Sequence, residues 1–230
     1  MRGAVRSALA PIALLLGGAA QAQLGATVSV DSDYRFRGVS LSDSKPAWRV
    51  TLNHDFASRA YAGVSATRVE LARDDQYSQL AAYAGYVTQP LDGKALEFGA
   101  SFSHFTGDSS YDYVEAYAGV LAEHWSLRLH YAPDYFGRGV QAAYVDAGAH
   151  WPLSEQLRVF GHAGALVPLA GRSFGPDDRR TRLDLRLGIG MSVGSLDIQL
   201  AWVDATRGGP YPALYGGRRS TWQLGALLSF

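Results

Sequence analysis

Apolar and polar side chains alternate with a period of two in one segment after another of this chain. Residues 181–193 show the pattern clearly, with one face formed by Leu183, Leu185, Leu187 and Ile189 and the other by Arg182, Asp184 and Arg186. A period of two is the side-chain spacing of a β-strand, whereas a helix would show an apolar stripe with a period of about 3.6. The pattern therefore predicts an all-β chain whose strands each have one apolar and one polar face.

The alternation predicts twelve strands of about eight to twelve residues. They lie at residues 25–36, 47–56, 60–71, 77–89, 94–105, 111–122, 125–132, 141–152, 157–168, 181–193, 196–206 and 221–230. About ten residues is the length that a tilted strand needs to cross a bilayer. Shorter and longer connections alternate, as expected for a barrel with short periplasmic turns and longer outer loops. We therefore predict one domain, residues 23–230, folded as an antiparallel up-and-down transmembrane β-barrel, with ten or fourteen strands as the nearest alternatives.

The first 22 residues have the layout of a secretory signal peptide. Arg2 and Arg6 precede an apolar stretch at residues 8–16, and Ala20-Gln21-Ala22 then forms a small-residue cleavage motif. The apolar stretch is too short for a membrane-spanning helix, which needs about 20 residues. We expect cleavage before Gln23 and export to the bacterial outer membrane. The chain contains no cysteine, so the exported fold must be stabilised by core packing or backbone pairing.

The last predicted strand ends on an aromatic residue, Phe230. Pairing of this strand with the first one would remove both free edges of the sheet. The ending resembles that of bacterial outer-membrane proteins, and the resemblance implies that the barrel-assembly machinery is a partner that reads this strand. Outer-membrane lipid is the second expected partner, because aromatic residues lie near several strand ends, as in membrane-interface girdles. These residues are Trp48, Trp125, Trp151, Trp202, Trp222 and Phe230.

Charge and motif content exclude several other classes of function. Lys and Arg number 21 and Asp and Glu also number 21, which argues against a nucleic-acid partner, because such proteins carry a basic patch. The chain has no zinc-ligand spacing, phosphate-binding loop or dinucleotide motif. The acidic pairs at residues 73–75 and 176–178 lack the spacing of a calcium loop. We therefore predict no cofactor and no metal site.

The polar faces of the strands supply candidate residues for the barrel interior. The predicted lumen-lining residues are Arg49, Glu97, Glu115, Arg128, His130, Asp146, Arg158, Arg182, Asp184, Arg186 and Asp197. Both signs of charge are present in similar numbers. Two interpretations follow: a salt-bridge network that closes the lumen, since buried charges need partners, or a narrow polar pore that passes small polar or charged solutes.

An outer-membrane lipid hydrolase is a third possibility, because such enzymes use serine and histidine on the outer wall of a barrel. The chain has no G-x-S-x-G motif, and no histidine is linked to a serine and an acid by local sequence. His104 falls on the lipid-facing parity near the outer end of its strand, where a single histidine is usually an interface residue. We therefore predict a protein without enzymatic activity.

The most distinctive segment is SDYRFRGVSLSDSKPA at residues 32–47, which contains Tyr34, Arg37, Gly38, Ser40 and Pro46. It resembles a motif near the mature N-terminus of a proteobacterial outer-membrane protein family of unknown function. The resemblance implies a barrel and supplies no substrate. Gly38 permits a turn, and Pro46 is expected just before the second strand. We expect Arg37, beside Asp33 and Asp43, to fix this first outer loop over the mouth of a porin-like channel.

Overall fold

Twelve long antiparallel strands form a closed barrel in the computed structural model, which describes residues 23–72, 75–172, 177–211 and 219–230. Two short strands form a separate hairpin in the first loop. The strands are β1 Gln23–Asp31, β2 Arg35–Phe36, β3 Val39–Ser40, β4 Ala47–Asp55, β5 Ala60–Ala72, β6 Asp75–Val87, β7 Lys94–Phe105, β8 Tyr113–Ala122, β9 Trp125–Ala132, β10 Val140–Pro152, β11 Leu157–Gly171, β12 Arg182–Val193, β13 Leu196–Ala205 and β14 Thr221–Ser229. The predicted fold class and strand number are confirmed. The predicted signal peptide lies outside the described residues.

The last strand closes the barrel against the first. Thr27 of β1 lies opposite Ser229 of β14, and the antiparallel pairing continues to Asp31 and Gly225. The backbone N–H of Phe230 donates a 2.9 Å hydrogen bond to the carbonyl of Ala26. This closure leaves the barrel without a free edge that another chain could extend.

The outer wall of the barrel is apolar and the inner wall is polar. On β12 the exposed side chains include Leu183, Leu187 and Ile189, whereas Asp184 faces inward and is buried. A slip of one residue in register would exchange these two faces along the whole strand. An apolar belt on the outside of a closed barrel is the surface that a bilayer requires. No helix in the described part of the chain is long and apolar enough to cross a membrane.

Aromatic side chains border the apolar belt at both ends. Trp48 and Trp222 are exposed at the end that carries the longer loops. Trp125, Trp151 and Phe230 are exposed at the opposite end. Aromatic rings at the two ends of the apolar belt match the interfacial girdles of outer-membrane barrels. We assign the end with the longer loops as the outer end and the end that carries Gln23 and Phe230 as the periplasmic end.

Two sequence predictions about the loops are wrong. The first strand does not run to residue 36 but ends at Asp31, because the chain then turns into the β2–β3 hairpin. The second outer connection is not a longer loop, since β5 extends to Ala72 and β6 begins at Asp75. Loop lengths therefore do not alternate without exception.

Candidate functional site in the barrel lumen

The first outer loop, residues 32–46, folds into the barrel, and we call it the first-loop hairpin. Its side chains Tyr34, Val39 and Leu41 are all buried. The N–H of Leu41 bonds to the carbonyl of Tyr34 at 2.8 Å, and the carbonyl of Leu41 accepts a bond from the N–H of Glu70 at 2.7 Å. The loop is thus attached to the inside of the β5 wall rather than lying over the mouth.

Asp33 organises the hairpin from within. Its carboxylate accepts hydrogen bonds from the Ser40 hydroxyl at 2.5 Å and from the Ser42 hydroxyl at 3.3 Å. It also forms a 2.7 Å ion pair with the Arg35 guanidinium. Ser40, one of the predicted motif residues, therefore contributes to loop structure through the buried Asp33 carboxylate.

Gly38 is required at the tip of the hairpin for two reasons. Its φ of 73° lies in the left-handed region, which other residues adopt at a cost of about 1–2 kcal/mol. A Cβ atom on Gly38 would also lie 2.6 Å from Cβ of Ala205 and 2.7 Å from Cβ of Asp184. The tip therefore contacts the inner wall closely on the β12–β13 side. Pro46 directly precedes β4, as expected.

Arg37 extends from the hairpin across the lumen to Glu115 on β8. Two hydrogen bonds of 2.7 and 2.8 Å join its guanidinium to the two carboxylate oxygens, and both side chains are almost fully buried. The expected pairing of Arg37 with Asp33 and Asp43 is wrong. Burial alone would lower the pKa of Arg37, but the Glu115 carboxylate outweighs it, and the net pKa is raised well above its ordinary value. The arginine is therefore a permanent cation inside the barrel.

Aromatic residues from other outer loops pack against the first-loop hairpin. Tyr135 and Phe136, in the loop between β9 and β10, are completely buried. The Phe136 ring stacks on Tyr113 of β8 with centroids 4.8 Å apart. The hydroxyls of Tyr135 and Tyr211 are 2.9 Å apart. This packing forms a core inside the outer end of the barrel, which we call the outer cluster; its members include Tyr34, Val39, Leu41, Val69, Phe105, Tyr113, Tyr135, Phe136 and Tyr211.

Sequence reasoning missed the outer cluster. Residues 133–139, PDYFGRG, lie between two predicted strands, and their two adjacent aromatic residues are the signal of burial that the strand pattern does not use. Phe136 has a φ of 53°, an uncommon value for a bulky residue. The packed rings around Phe136 hold this conformation.

Arg182, predicted to line the lumen, holds the hairpin tip instead of standing free. Its guanidinium donates hydrogen bonds to the carbonyl of Gly38 at 3.1 Å and to that of Arg37 at 3.3 Å. The guanidinium also lies over the Tyr211 ring, 5.5 Å from its centroid. Arg182 thus joins the barrel wall, the hairpin and the outer cluster.

Two further ion pairs join inward charges below the hairpin. Arg158 binds Asp197 through two hydrogen bonds of 2.6 and 2.8 Å. Arg128 donates to Glu97 at 2.6 Å. Close pairing of this kind reinforces the wall and leaves little net charge at these positions.

Two histidines contact the inward carboxylates of Asp146 and Asp184. His130 lies 3.2 Å from Asp146, and His162 lies 3.1 Å from Asp184. The Tyr144 hydroxyl lies 2.9 Å from the same His162 nitrogen. These groups form a continuous polar strip across β9 to β12.

Arg49 and Arg186 have no carboxylate within ion-pair distance among the described residues, in contrast to the arginines that form the ion pairs described above. Arg49 donates to the Thr67 hydroxyl at 3.1 Å and lies over the Tyr34 ring. Arg186 donates to the side-chain amide oxygen Oε1 of Gln199 at 3.1 Å, and its buried Nε has no partner in the described structure. Asp31 of β1 interacts electrostatically with both arginines. The lumen therefore retains positive charge that is not neutralised by direct contact.

Tyrosine rings lie flat on glycines along the inner wall between β5 and β6. Tyr61 is paired with Gly85, and Gly63 is paired with Tyr83 in the reciprocal arrangement. A Cβ atom on Gly85 would lie 2.5 Å from the Tyr61 ring, and one on Gly63 would overlap the Tyr83 ring. The glycines thus give the rings room against the wall. The Tyr61 hydroxyl reaches Glu97 at 2.7 Å.

The barrel is similar in structure to solved porins. The KdgM porin aligns with a TM-score of 0.58 at 11% identity, over 90% of this chain and 98% of the porin. The NanC porin aligns with a TM-score of 0.59 at 8% identity, over 90% and 99% of the two chains. At these identities the likeness establishes the fold. A search of curated proteins found no match.

The sequence matches the family described as "Bacterial protein of unknown function (Gcw_chp)" over residues 16–224. Because this match spans nearly all of the barrel, the chain belongs to that bacterial family, Gcw_chp.

Proposed function

We propose that the protein is a porin-like passive channel of the bacterial outer membrane for small polar or charged solutes, with a preference for anions. The observation that carries the proposal is the pair Arg49 and Arg186, which face the lumen with no described carboxylate in contact with either guanidinium. A cation in a confined, partly desolvated channel attracts anions more strongly than it would in bulk water. Rings of arginine are a recurrent source of anion selectivity in pores.

The porin fold and the polar inner wall support this proposal. Thr51, Asn53 and Asp55 of β4 face inward below the hairpin and remain partly exposed. Their exposure inside a closed barrel is consistent with a water-filled periplasmic half. Export through a signal peptide at residues 1–22, cleaved before Gln23, is part of the same proposal.

Single-channel conductance of the protein purified from outer membranes tests the proposal. We expect discrete steps whose reversal potential in a salt gradient indicates anion preference. The double variant Arg49→Gln and Arg186→Gln should lose that preference and still insert. Arg59→Gln is the matched control, because Arg59 is exposed in the periplasmic turn after β4. An oligogalacturonate, the ligand in one KdgM porin structure, is a suitable organic anion for block experiments.

A non-conducting barrel is the second candidate, because the first-loop hairpin and the outer cluster occupy the outer end of the lumen. In that case the protein would be a structural or surface-interaction barrel. A folded, membrane-inserted protein that gives no conductance in any variant would favour this candidate and contradict the channel.

A further inference from the structure

A groove of about 460 Å³ runs along the lipid-facing wall between β4 and β7. Its lining includes the apolar side chains Val64, Leu80 and Phe102 and the small side chains Ala66 and Ala82. His104 is the one titratable residue in the lining. Because this wall faces the membrane, the medium in contact with the groove consists of lipid acyl chains.

Two basic residues lie at the outer end of the groove. Leu80 pairs with both Ala66 and His104, so these three residues form one row across the wall. Arg68 lies two residues beyond Ala66 on the same face and pairs with Ser78. From the strand spacing, the backbones of Arg68 and His104 are on the order of 10 Å apart. Both side chains are long enough to reach one group placed between them.

The outer end of the groove lies at the depth of the lipid headgroups. Trp48 of β4 is exposed on the outer wall and adjoins Arg49, which pairs with Thr67, the neighbour of Arg68. A tryptophan at this position marks the boundary between the hydrocarbon and headgroup regions. Arg68 therefore lies at the level of the headgroups, with the groove extending below it towards the hydrocarbon.

The local acids do not neutralise Arg68. Glu70 forms its ion pair with Lys45 at 2.5 Å. Asp112 lies 2.6 Å from Nδ1 of His104 and fixes that ring. Arg68 makes no hydrogen bond or ion pair with any residue in the described ranges, and Nε2 of His104 has no partner there either. The outer end of the groove thus presents an unpaired guanidinium and an oriented imidazole.

We propose that this groove binds a phosphorylated lipid of the outer leaflet. One acyl chain occupies the groove beside Ala66 and Ala82, and the lipid phosphate is held by Arg68 and by the Nε2 side of the His104 imidazole. Arginine pairs with phosphate through two parallel hydrogen bonds, and charge-assisted bonds of this kind are the strong ones. An apolar groove alone would suit any chain or a second barrel, but the two basic groups at headgroup depth favour an anionic lipid. The proposal does not depend on whether the lumen conducts.

Native mass spectrometry of the detergent-solubilised, delipidated protein tests this inference. The probes are lipid A with its phosphates and the same lipid A after enzymatic removal of the phosphates. We expect the wild-type protein to retain the phosphorylated form at least about tenfold more strongly, the effect of losing one charge-assisted bond or more. The double variant Arg68→Gln and His104→Gln should lose this difference.

A second pair of substitutions tests the apolar part of the site. Ala66→Leu with Ala82→Leu should fill the groove and lower retention of both forms, whereas Ala147→Leu, on the lipid-facing wall of β10, should have no effect. Arg59→Gln is the charge control. Equal retention of lipid A by the wild-type, Arg68/His104 and Ala66/Ala82 proteins would overturn the proposal. Dimers that form without lipid and disappear in the Ala66/Ala82 variant would assign the groove to a second copy and would also overturn it.

Discussion

Arg37 and Glu115 are joined by two hydrogen bonds of 2.7 and 2.8 Å although 78 residues separate them in the sequence. One residue belongs to a loop and the other to the barrel wall. The pair therefore fixes the position of the first-loop hairpin within the lumen. Its two partners are almost fully buried, so removal of either one leaves an uncompensated polar group.

Glu115→Gln should release the first-loop hairpin. The variant leaves the buried Arg37 without a carboxylate, which costs about 3–5 kcal/mol at a buried pair. We expect the loop to move towards the outer solvent and the conductance to increase. Because the chain contains no cysteine, Val39→Cys supplies a single labelling site on the hairpin. Its labelling rate by a membrane-impermeant maleimide should rise in the Glu115→Gln background.

Glu97→Gln is the control for this experiment, because the described hydrogen bonds of the Glu97 carboxylate come from Tyr61 and Arg128 on the barrel wall and not from the hairpin. It removes a carboxylate from the same lumen without touching Arg37. Equal labelling of Val39→Cys in the Glu115→Gln and Glu97→Gln backgrounds would show that the Arg37–Glu115 pair does not hold the loop.

Arg182→Gln should change gating without removing ion preference. Arg182 donates hydrogen bonds to the carbonyls of Gly38 and Arg37, so its loss weakens the attachment of the hairpin tip. Arg186 makes no such contact with the loop. We expect more frequent transitions between conductance levels in Arg182→Gln and a shifted reversal potential in Arg186→Gln. The opposite assignment of the two effects would contradict the roles given to these residues.

Gly38→Ala should destabilise the hairpin by more than backbone strain alone. Gly38 and Gly93 both have a φ of 73°, so alanine at either position costs about 1–2 kcal/mol from strain. Only at Gly38 does the new methyl group approach other atoms, at 2.6 and 2.7 Å, whereas nothing lies within 4 Å of it at Gly93. Each glycine variant is combined with Val39→Cys, and the labelling rates of the two proteins are compared. A higher rate with Gly38→Ala than with Gly93→Ala measures the effect of the close contact. Similar labelling in both would contradict this contact.

The outer cluster should loosen at alkaline pH. Burial, reinforced by the neighbouring Tyr211, raises the pKa of Tyr135 well above its ordinary value of 10.0. The stabilisation from neutral Tyr135 is therefore complete below about pH 10 and is lost as the pH rises towards the raised pKa. We expect conductance to increase reversibly between neutral pH and about pH 11.

Tyr135→Phe should weaken this alkaline response, because phenylalanine keeps the ring and cannot ionise. At neutral pH the variant loses only the hydroxyl contact with Tyr211, a change of about 1 kcal/mol. An alkaline increase of the same size in the variant and the wild type would assign the response to other groups.

Deletion of Phe230 should reduce insertion in cells more than refolding in detergent. Phe230 is 72% exposed, so the folded barrel loses little side-chain packing without it. Our expectation that the barrel-assembly machinery reads this terminal strand predicts lower amounts in outer-membrane fractions. Leu228→Ala is the control, because Leu228 is exposed on the same face of β14. Normal outer-membrane levels without Phe230 would exclude that role.

The barrel could be predicted from sequence because its strands repeat one local rule. Leu183, Leu185 and Leu187 are stable facing lipid, and the polar residues between them are stable facing the interior. Neighbouring residues therefore determine the orientation and register of the strand. The same rule correctly predicted that β14 would close against β1. These inferences require no knowledge of distant contacts.

The loop packing inside the barrel could not be predicted in this way. The position of Arg37 depends on Glu115, and the burial of Phe136 depends on Tyr113, which are pairings across the lumen rather than along a strand. Local acids such as Asp43 were the reasonable partners for Arg37 from sequence proximity alone. Likewise, nothing near Arg186 in the sequence indicates that it has no carboxylate as an ion-pair partner, whereas Arg158 is paired with Asp197.

The reciprocal tyrosine–glycine pairs of β5 and β6 restrict how this wall can vary in evolution. A side chain at Gly63 is incompatible with the ring of Tyr83, and one at Gly85 is incompatible with the ring of Tyr61. A single substitution at either glycine displaces a ring into the passage, and removal of a ring alone leaves bare backbone. Homologous chains should therefore exchange these residues together, and such paired changes would alter the diameter of the passage in steps rather than gradually.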